Sequence, residues 1–252
     1  MPTPISIQLY TLREHTATDM RGVLERVAKI GYAGVEPAGF GDLSAKDFAS
    51  LVSDLGMRVS SSHVQGRIDG DDRDRIVDDA AALGAPYLVV PFLPPEKFTE
   101  AESVQRLAAR LSGAVDAVEA RGMKLGYHNH WFEFVQIDGR SAFDVFVDAL
   151  DPRVVLEVDI YWAQTGGVEP AGLVKSLGPR VPLLHVKDGP CTEDGDMVAV
   201  GDGKVDTPAV LNANDSVEWH IVELDRCATD MWGAVERSYE YLTSNGLSTG
   251  TR

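Results

Sequence analysis

The sequence predicts an α/β chain closed into a single (β/α)8 barrel spanning residues 1–252, and three observations support this. A unit of amphipathic helix, glycine and short apolar or β-branched run repeats along the chain. About eight of those runs read as strands, each separated from the next by helical sequence, which is the count the barrel needs. Polar and ionisable residues stand at the last positions of the runs, at the end where such a barrel builds its site.

The first strand, ISIQLY (5–10), runs into TLREHTATD with no G-x-G-x-x-G turn, which argues against a doubly wound open sheet. VLERVAKIG is an amphipathic helix whose glycine suits the left-handed position that ends it, and GVEP (34–37) follows as the second strand. FASLVSDLG leads to RVSSSH (58–63), and IVDDAAALG to YLVVPF (87–92). LSGAVDAVEARG precedes KLGYHN (124–129), and VVLEVD (154–159) is the sixth strand. LVKSLG leads to LLHVKD (183–188), the helical pattern after it, near TPAVLNAND, is the weakest of the set, and WHIVEL (219–224) completes the count. Neither a linker nor a shift in composition divides the chain, so one domain is expected.

Hydrophobic content of 44% and charged content of 25% match an ordinary globular protein with a sizeable core. A net charge of −16 repels polyanions, because nucleic-acid binding depends on Lys and Arg patches that release counterions, so no nucleic-acid partner is expected. The N-terminal MPTPISIQLY lacks a basic segment followed by an apolar one, and no run is long enough for a bilayer, so no membrane partner is expected. Cys191 and Cys227 lie outside any CxxC pattern, which fits a reducing compartment. A cytoplasmic protein is predicted, with a homo-oligomer left open.

The strand ends carry Gln8, Glu36, His63, His128 with His130, Asp159, His185 and Glu223. Residues two apart share a strand face, so Glu157 goes with Asp159, His185 with Lys187, and Glu223 with Asp225. Facing inward, Asp159, His185 and Glu223 converge from three successive strands. A lone histidine on an apolar strand is more often a hydrogen-bonded core residue; the joint occurrence at successive strand ends favours a site. Crowded buried carboxylates need a cation or must take up protons. A mixed set of oxygen and nitrogen donors suits one divalent ion, manganese first, with magnesium, cobalt and zinc as alternatives.

The stretches SSSHVQG, GYHNHWFEF, LEVDIYWAQTGG, LLHVKDG, GDGKVD and HIVELD, in this order over nearly the whole chain, resemble the xylose isomerase-like TIM barrel superfamily of sugar phosphate isomerases, epimerases and AP endonucleases. The form YHNHxFEF is similar to the branch with inosose dehydratase-like and 3-keto-sugar-processing proteins. The resemblance implies one divalent metal held by Glu, Asp, His and Glu from the fifth to eighth strands, with Asp159, His185 and Glu223 in the last three places. The chain departs at the first place, where His128 stands, and Glu133 just beyond the strand is expected to restore the carboxylate.

The activity implied is that of a sugar isomerase or epimerase removing a proton next to a carbonyl through an enediolate. Dehydration of a keto-sugar or keto-inositol is the alternative, and a sugar-binding barrel without catalysis is a second. AP endonuclease activity is disfavoured by the acidic chain and by a supply of six histidines. A sugar or polyol is the expected small-molecule partner. In this reading His130 or His63 is the base, Glu223 and Lys187 assist catalysis, and Gln8, Glu36 and His128 contact substrate hydroxyls. Tyr10 and Trp162 wall off one sugar face, and GDGKVD forms a rim loop that turns at Gly201 and Gly203.

Overall fold

The computed structural model describes residues 2–64 and 66–252; Gln65 of the SSSHVQG stretch lies outside the described residues. Strands β1 (Ile5–Gln8), β2 (Gly34–Glu36), β3 (Arg58–Val59), β4 (Ser62–His63), β5 (Tyr87–Val90), β6 (Lys124–His128), β9 (Val155–Asp159), β10 (Leu183–Val186) and β11 (Trp219–Val222) form one parallel sheet in the order β3-β2-β1-β11-β10-β9-β6-β5-β4. The two edges of that order, β3 and β4, are consecutive in the chain. The stretch 58–63 pairs with β2 at its start and β5 at its end, and so closes the barrel. Between the halves the Ser60 amide still donates to Val35 O at 3.0 Å, and its hydroxyl lies 2.8 Å from that of Ser6. Small hydroxyl residues let the third strand bend there, which a single run in RVSSSH does not reveal.

Helices α1 (Arg13–Ile30), α2 (Ala45–Asp54), α3 (Arg73–Ala82), α4 (Ala101–Ser112), α5 (Val115–Glu119), α6 (Ala142–Ala149), α7 (Ile160–Thr165), α8 (Pro170–Leu177), α9 (Thr207–Leu211) and α10 (Met231–Ser244) connect the strands. The weak pattern after the seventh strand is a five-residue helix, α9, capped by the Asp206 carboxylate on the Ala209 amide at 3.2 Å. A hairpin of β7 (Gln136–Ile137) and β8 (Arg140–Ser141) was not expected. Its turn residues Asp138 and Gly139 have φ of 50° and 81°, and the D-G pair was the signal that could have found it. Among the described residues no helix is long and apolar enough to cross a membrane.

The barrel interior is layered by strand alternation. Tyr87, Val89, Val155, Leu183, Trp219 and Ile221 form an apolar plug at the N-terminal end. Gly34 is required there, because a Cβ would stand 2.8 Å from the Trp219 ring. Two residues further along, the inward positions become ionisable: Val155 gives way to Glu157 and Asp159, Leu183 to His185, and Ile221 to Glu223. The register then sets His185 beside Asp159 and His128 beside Glu157.

His220, the neighbour of Ile221 on the outer face, is buried with Nδ1 2.9 Å from Ser248 Oγ. Burial lowers its pKa from 6.5 to about 4. Below pH 6.5 the unfolded chain binds this proton before the folded one does, so the stabilisation is complete at higher pH and is lost as pH falls towards 4. The wild type should lose about 2 kcal/mol through this group on going to about pH 5. Urea denaturation at neutral pH and at about pH 5 should show a smaller loss for His220→Gln; equal losses would mean that His220 titrates in the fold as it does in the unfolded chain.

Candidate active site

At the C-terminal end of the barrel a cavity of about 400 Å³ is lined by Tyr10, Ala38, His63, Pro91, Phe92, His128, His130, Glu223 and Asp225. Below it His128, Asp159, His185 and Glu223 each bring one donor atom within 4.8 Å of the others, all four side chains buried. His128 and Asp159 end β6 and β9. Asp159 is pinned on both sides: its amide donates to Asn129 Oδ1 at 3.0 Å, and its Oδ1 caps α7 by accepting from the Trp162 amide at 2.8 Å. The second oxygen, Oδ2, is thereby left for the group, 3.9 Å from His128 Nε2. His185 Nδ1 lies 2.7 Å from Glu223 Oε2.

A second layer lies beneath. Glu157 Oε2 is 2.8 Å from His63 Nε2 and 3.1 Å from His185 Nε2, while Glu36 Oε2 is 2.7 Å from His185 Nε2. Gln8 donates to that Glu36 oxygen at 2.6 Å. Lys187 is fully buried, with its ammonium 2.7 Å from Glu223, 2.7 Å from Asp225 and 3.0 Å from Asp159. Five carboxylates therefore share one lysine and three imidazoles.

The protonation states follow from this crowding. Burial raises the Asp159 pKa to about 6 against the opposing pull of Lys187. Burial also works against the charge on Glu223, yet Lys187 and His185 hold it well below the usual carboxylate range. Burial disfavours a charged His185 too, but Glu157, Glu223 and Glu36 outweigh it and raise its pKa well above the ordinary value. His63 is raised in the same way, by Glu36 and Glu157 against burial. His128 is lowered to about 3 by burial and then by His185, and burial first lowers His130 well below the ordinary value.

These donors fit a divalent cation. Buried His128 Nδ1, Asp159 Oδ2, Glu157 Oε1 and Glu36 Oε1 have no hydrogen-bond partner; Lys187 approaches Asp159 Oδ2 without hydrogen-bond alignment. A buried polar atom left unpaired costs about 1–3 kcal/mol, so several side by side mark a place where a further charge is accommodated. Two imidazoles and two carboxylates offer a mixed donor set for such an ion, and a neutral His128 is in the state a ligand needs.

Several residues expected at the site sit elsewhere. Glu133 does not join the group: its oxygens accept from the Tyr127 hydroxyl at 2.6 Å and the His130 amide at 2.9 Å. The 3-10 turn Phe132–Phe134 folds it back behind β6, and His128 takes the fifth-strand place. Trp162 is 2% exposed and packs on Trp131 at 4.6 Å, so it forms no wall of the cavity; Phe92, 51% exposed, does, with Tyr10 at the rim. Gln8, Glu36 and Lys187 lie buried beneath the cavity rather than on it. Glu157 and Asp225 were not singled out as site residues, although each shares a strand face with Asp159 or Glu223, and that spacing was the signal. In GDGKVD the amides of Gly201, Gly203 and Val205 all donate to Asp188, at 2.9, 3.1 and 3.1 Å. The rim loop is thus tied to an internal carboxylate.

Residues 24–224 match the family model described as xylose isomerase-like TIM barrel. The chain belongs to this family. Among relatives, the 2-epi-5-epi-valiolone 7-phosphate 2-epimerase of Actinoplanes sp. is 31% identical over 163 residues, 62% of this chain and 54% of that protein. The match therefore spans about half the length of that relative. Among xylose isomerase-like folds of known structure, a sugar phosphate isomerase/epimerase from Parabacteroides distasonis superposes with a TM-score of 0.82 at 26% identity, covering 99% of this chain and 96% of that one. The IolI protein with a bound zinc atom superposes with a TM-score of 0.75 at 17% identity over 98% of both chains, a likeness of fold.

Proposed function

We propose that this chain is a divalent-metal-dependent sugar isomerase or epimerase that moves a proton at a carbon next to a carbonyl. The observation that carries this reading is the floor of the cavity, where His128, Asp159, His185 and Glu223 meet directly below a neutral imidazole, His130. A volume of about 400 Å³ suits a small polyol. His128, Asp159, His185 and Glu223 would hold a divalent ion, which would supply Lewis-acid stabilisation of negative charge on a carbonyl oxygen. Manganese comes first, with magnesium, cobalt and zinc as alternatives.

His130 stacks on Phe132 at 5.4 Å and meets the edge of Phe92 at 5.5 Å, so its ring is fixed at the cavity wall. Kept neutral by burial, it has a free lone pair with which to take a carbon-bound proton. His63 also faces the cavity, and although burial opposes its charge, Glu36 and Glu157 raise its pKa, which suits it to return a proton to oxygen. Lys187 holds Asp159 and Glu223 ionised from below, and Phe92 and Tyr10 offer apolar faces to a sugar ring. The relative named as a 2-epi-5-epi-valiolone 7-phosphate 2-epimerase supports this class of chemistry.

Incubation with keto-sugars in deuterium oxide tests the reading by NMR. Deuterium is expected at the carbon next to the carbonyl with wild-type protein, and not after chelation or in Glu223→Gln. Release of water with formation of an unsaturated ketone would move the reading to dehydration. Tight metal binding without exchange into any keto-sugar would leave a sugar-binding barrel instead.

A further inference from the structure

On the far side of Phe92 lies a second cavity, also of about 400 Å³, that the proton chemistry does not use. Phe92 lines both cavities, and its ring stands 5.5 Å from that of His130 and 5.8 Å from that of Phe132. Val90 faces the second cavity and its neighbour Pro91 the first, so the end of β5 forms the sill between them. A compound held against His130 can therefore continue over Phe92 into the second space.

The walls and the rim of this cavity differ in chemistry. The walls are Val90, Ile68, Leu93, and Leu107 with Leu111, which stand one turn apart on α4. The rim carries three cations, Arg67, Lys97 and Arg110, and one carboxylate, Asp69. Arg67 donates Nε and Nη2 to the two Asp69 oxygens at 3.1 and 3.2 Å, and Arg110 pairs with the same carboxylate, so the two guanidiniums are drawn together. Among the described residues neither guanidinium engages its Nη1, and Lys97 makes no ion pair. Surface ion pairs alone are worth little. Three cations against one carboxylate are different, because they leave positive charge over an apolar hollow in a chain of net charge −16.

We infer that this cavity is a substrate subsite for a substituent of the sugar, an apolar group that ends in a carboxylate or a phosphate. This rests on the isomerase or epimerase reading above and names its substrate class, a keto-sugar with an acidic apolar substituent. A second sugar ring fits the walls poorly, since its hydroxyls would lose water against leucine side chains that offer no partner. A bare anion would leave those walls unused. An apolar group gains by leaving water there, and its charged end reaches the unengaged guanidinium nitrogens at the rim.

NMR titration of the full chain with benzoate and with phenyl phosphate should shift the amides of Ile68, Leu93 and Leu107. Acetate and inorganic phosphate keep the charge and benzyl alcohol keeps the ring; each should bind about 10-fold more weakly or worse. Arg110→Gln, at an exposed helix position, should weaken benzoate and phenyl phosphate by about 10-fold. A preference for either probe supports the inference and identifies the anion. Equal binding of the ring-free anions or of benzyl alcohol, or shifts that avoid these three residues, would overturn it. A keto-sugar that exchanges deuterium should then be compared with its para-carboxybenzyl ether at the hydroxyl farthest from the carbonyl. The ether should show a KM about 10-fold lower, and Arg110→Gln should raise that KM with little change in kcat; equal KM values for the two sugars would sink the subsite. Fragment binding needs neither metal nor turnover, so a chain that binds benzoate here but exchanges no keto-sugar would overturn the isomerase reading and leave the ligand chemistry of this cavity standing.

Discussion

Lys187→Met should destabilise the protein by about 3–5 kcal/mol in the absence of added metal, the cost of stripping a buried charge cluster of its partner. The ammonium is 1% exposed and touches three carboxylates within 3.0 Å, so its removal leaves Asp159, Glu223 and Asp225 facing one another. Methionine keeps the length of the stem and removes only the charge. Asp159 already has its pKa raised to about 6 with Lys187 present, and without it the pKa rises further. The deficit is therefore greatest where the carboxylates must stay ionised and shrinks as pH falls and they take up protons. A divalent ion that binds only the folded chain should restore part of the loss. Urea denaturation at neutral and acidic pH, with and without manganese, measures all three effects. An unchanged midpoint would show that the cluster does not depend on this lysine.

His130→Asn should lower the rate of carbon-bound proton exchange by about 10²- to 10⁴-fold, the usual range for loss of a general base. The ring lines the cavity, is held by Phe132 and Phe92, and stays neutral because burial, reinforced by His128, Lys187 and His63, outweighs Glu223. It is outside the four-donor group, so cobalt affinity should stay near the wild-type value. A variant that lost cobalt but kept its exchange rate when saturated with metal would make His130 a ligand rather than the base. The supporting turn predicts a milder companion effect: Glu133 accepts the His130 amide at 2.9 Å, so its loss loosens the base without removing it.

The barrel was legible because five of its strands, β2, the 58–63 stretch, β5, β6 and β10, combine an apolar or β-branched run with a helix and a glycine before it. Asp159, His185 and Glu223 were legible for a different reason, since all three stand at strand ends on the inward parity. Glu133 misled because sequence distance from the strand says nothing about the direction of a 3-10 turn. That turn points its carboxylate at Tyr127, where both oxygens find donors. Trp162 misled because the Asp159 cap starts α7 at once and carries the indole onto Trp131 rather than into the cavity.

By itself the sequence determined which residues face inward, because a strand alternates with a period of two and the apolar layer below left only the last positions ionisable. Only the tertiary structure decided how those inward residues pair across strands. Register places His185 beside Asp159 and His128 beside Glu157. Those pairings depend on the stagger between neighbouring strands around the closed barrel, a quantity set by the whole sheet and by no single segment.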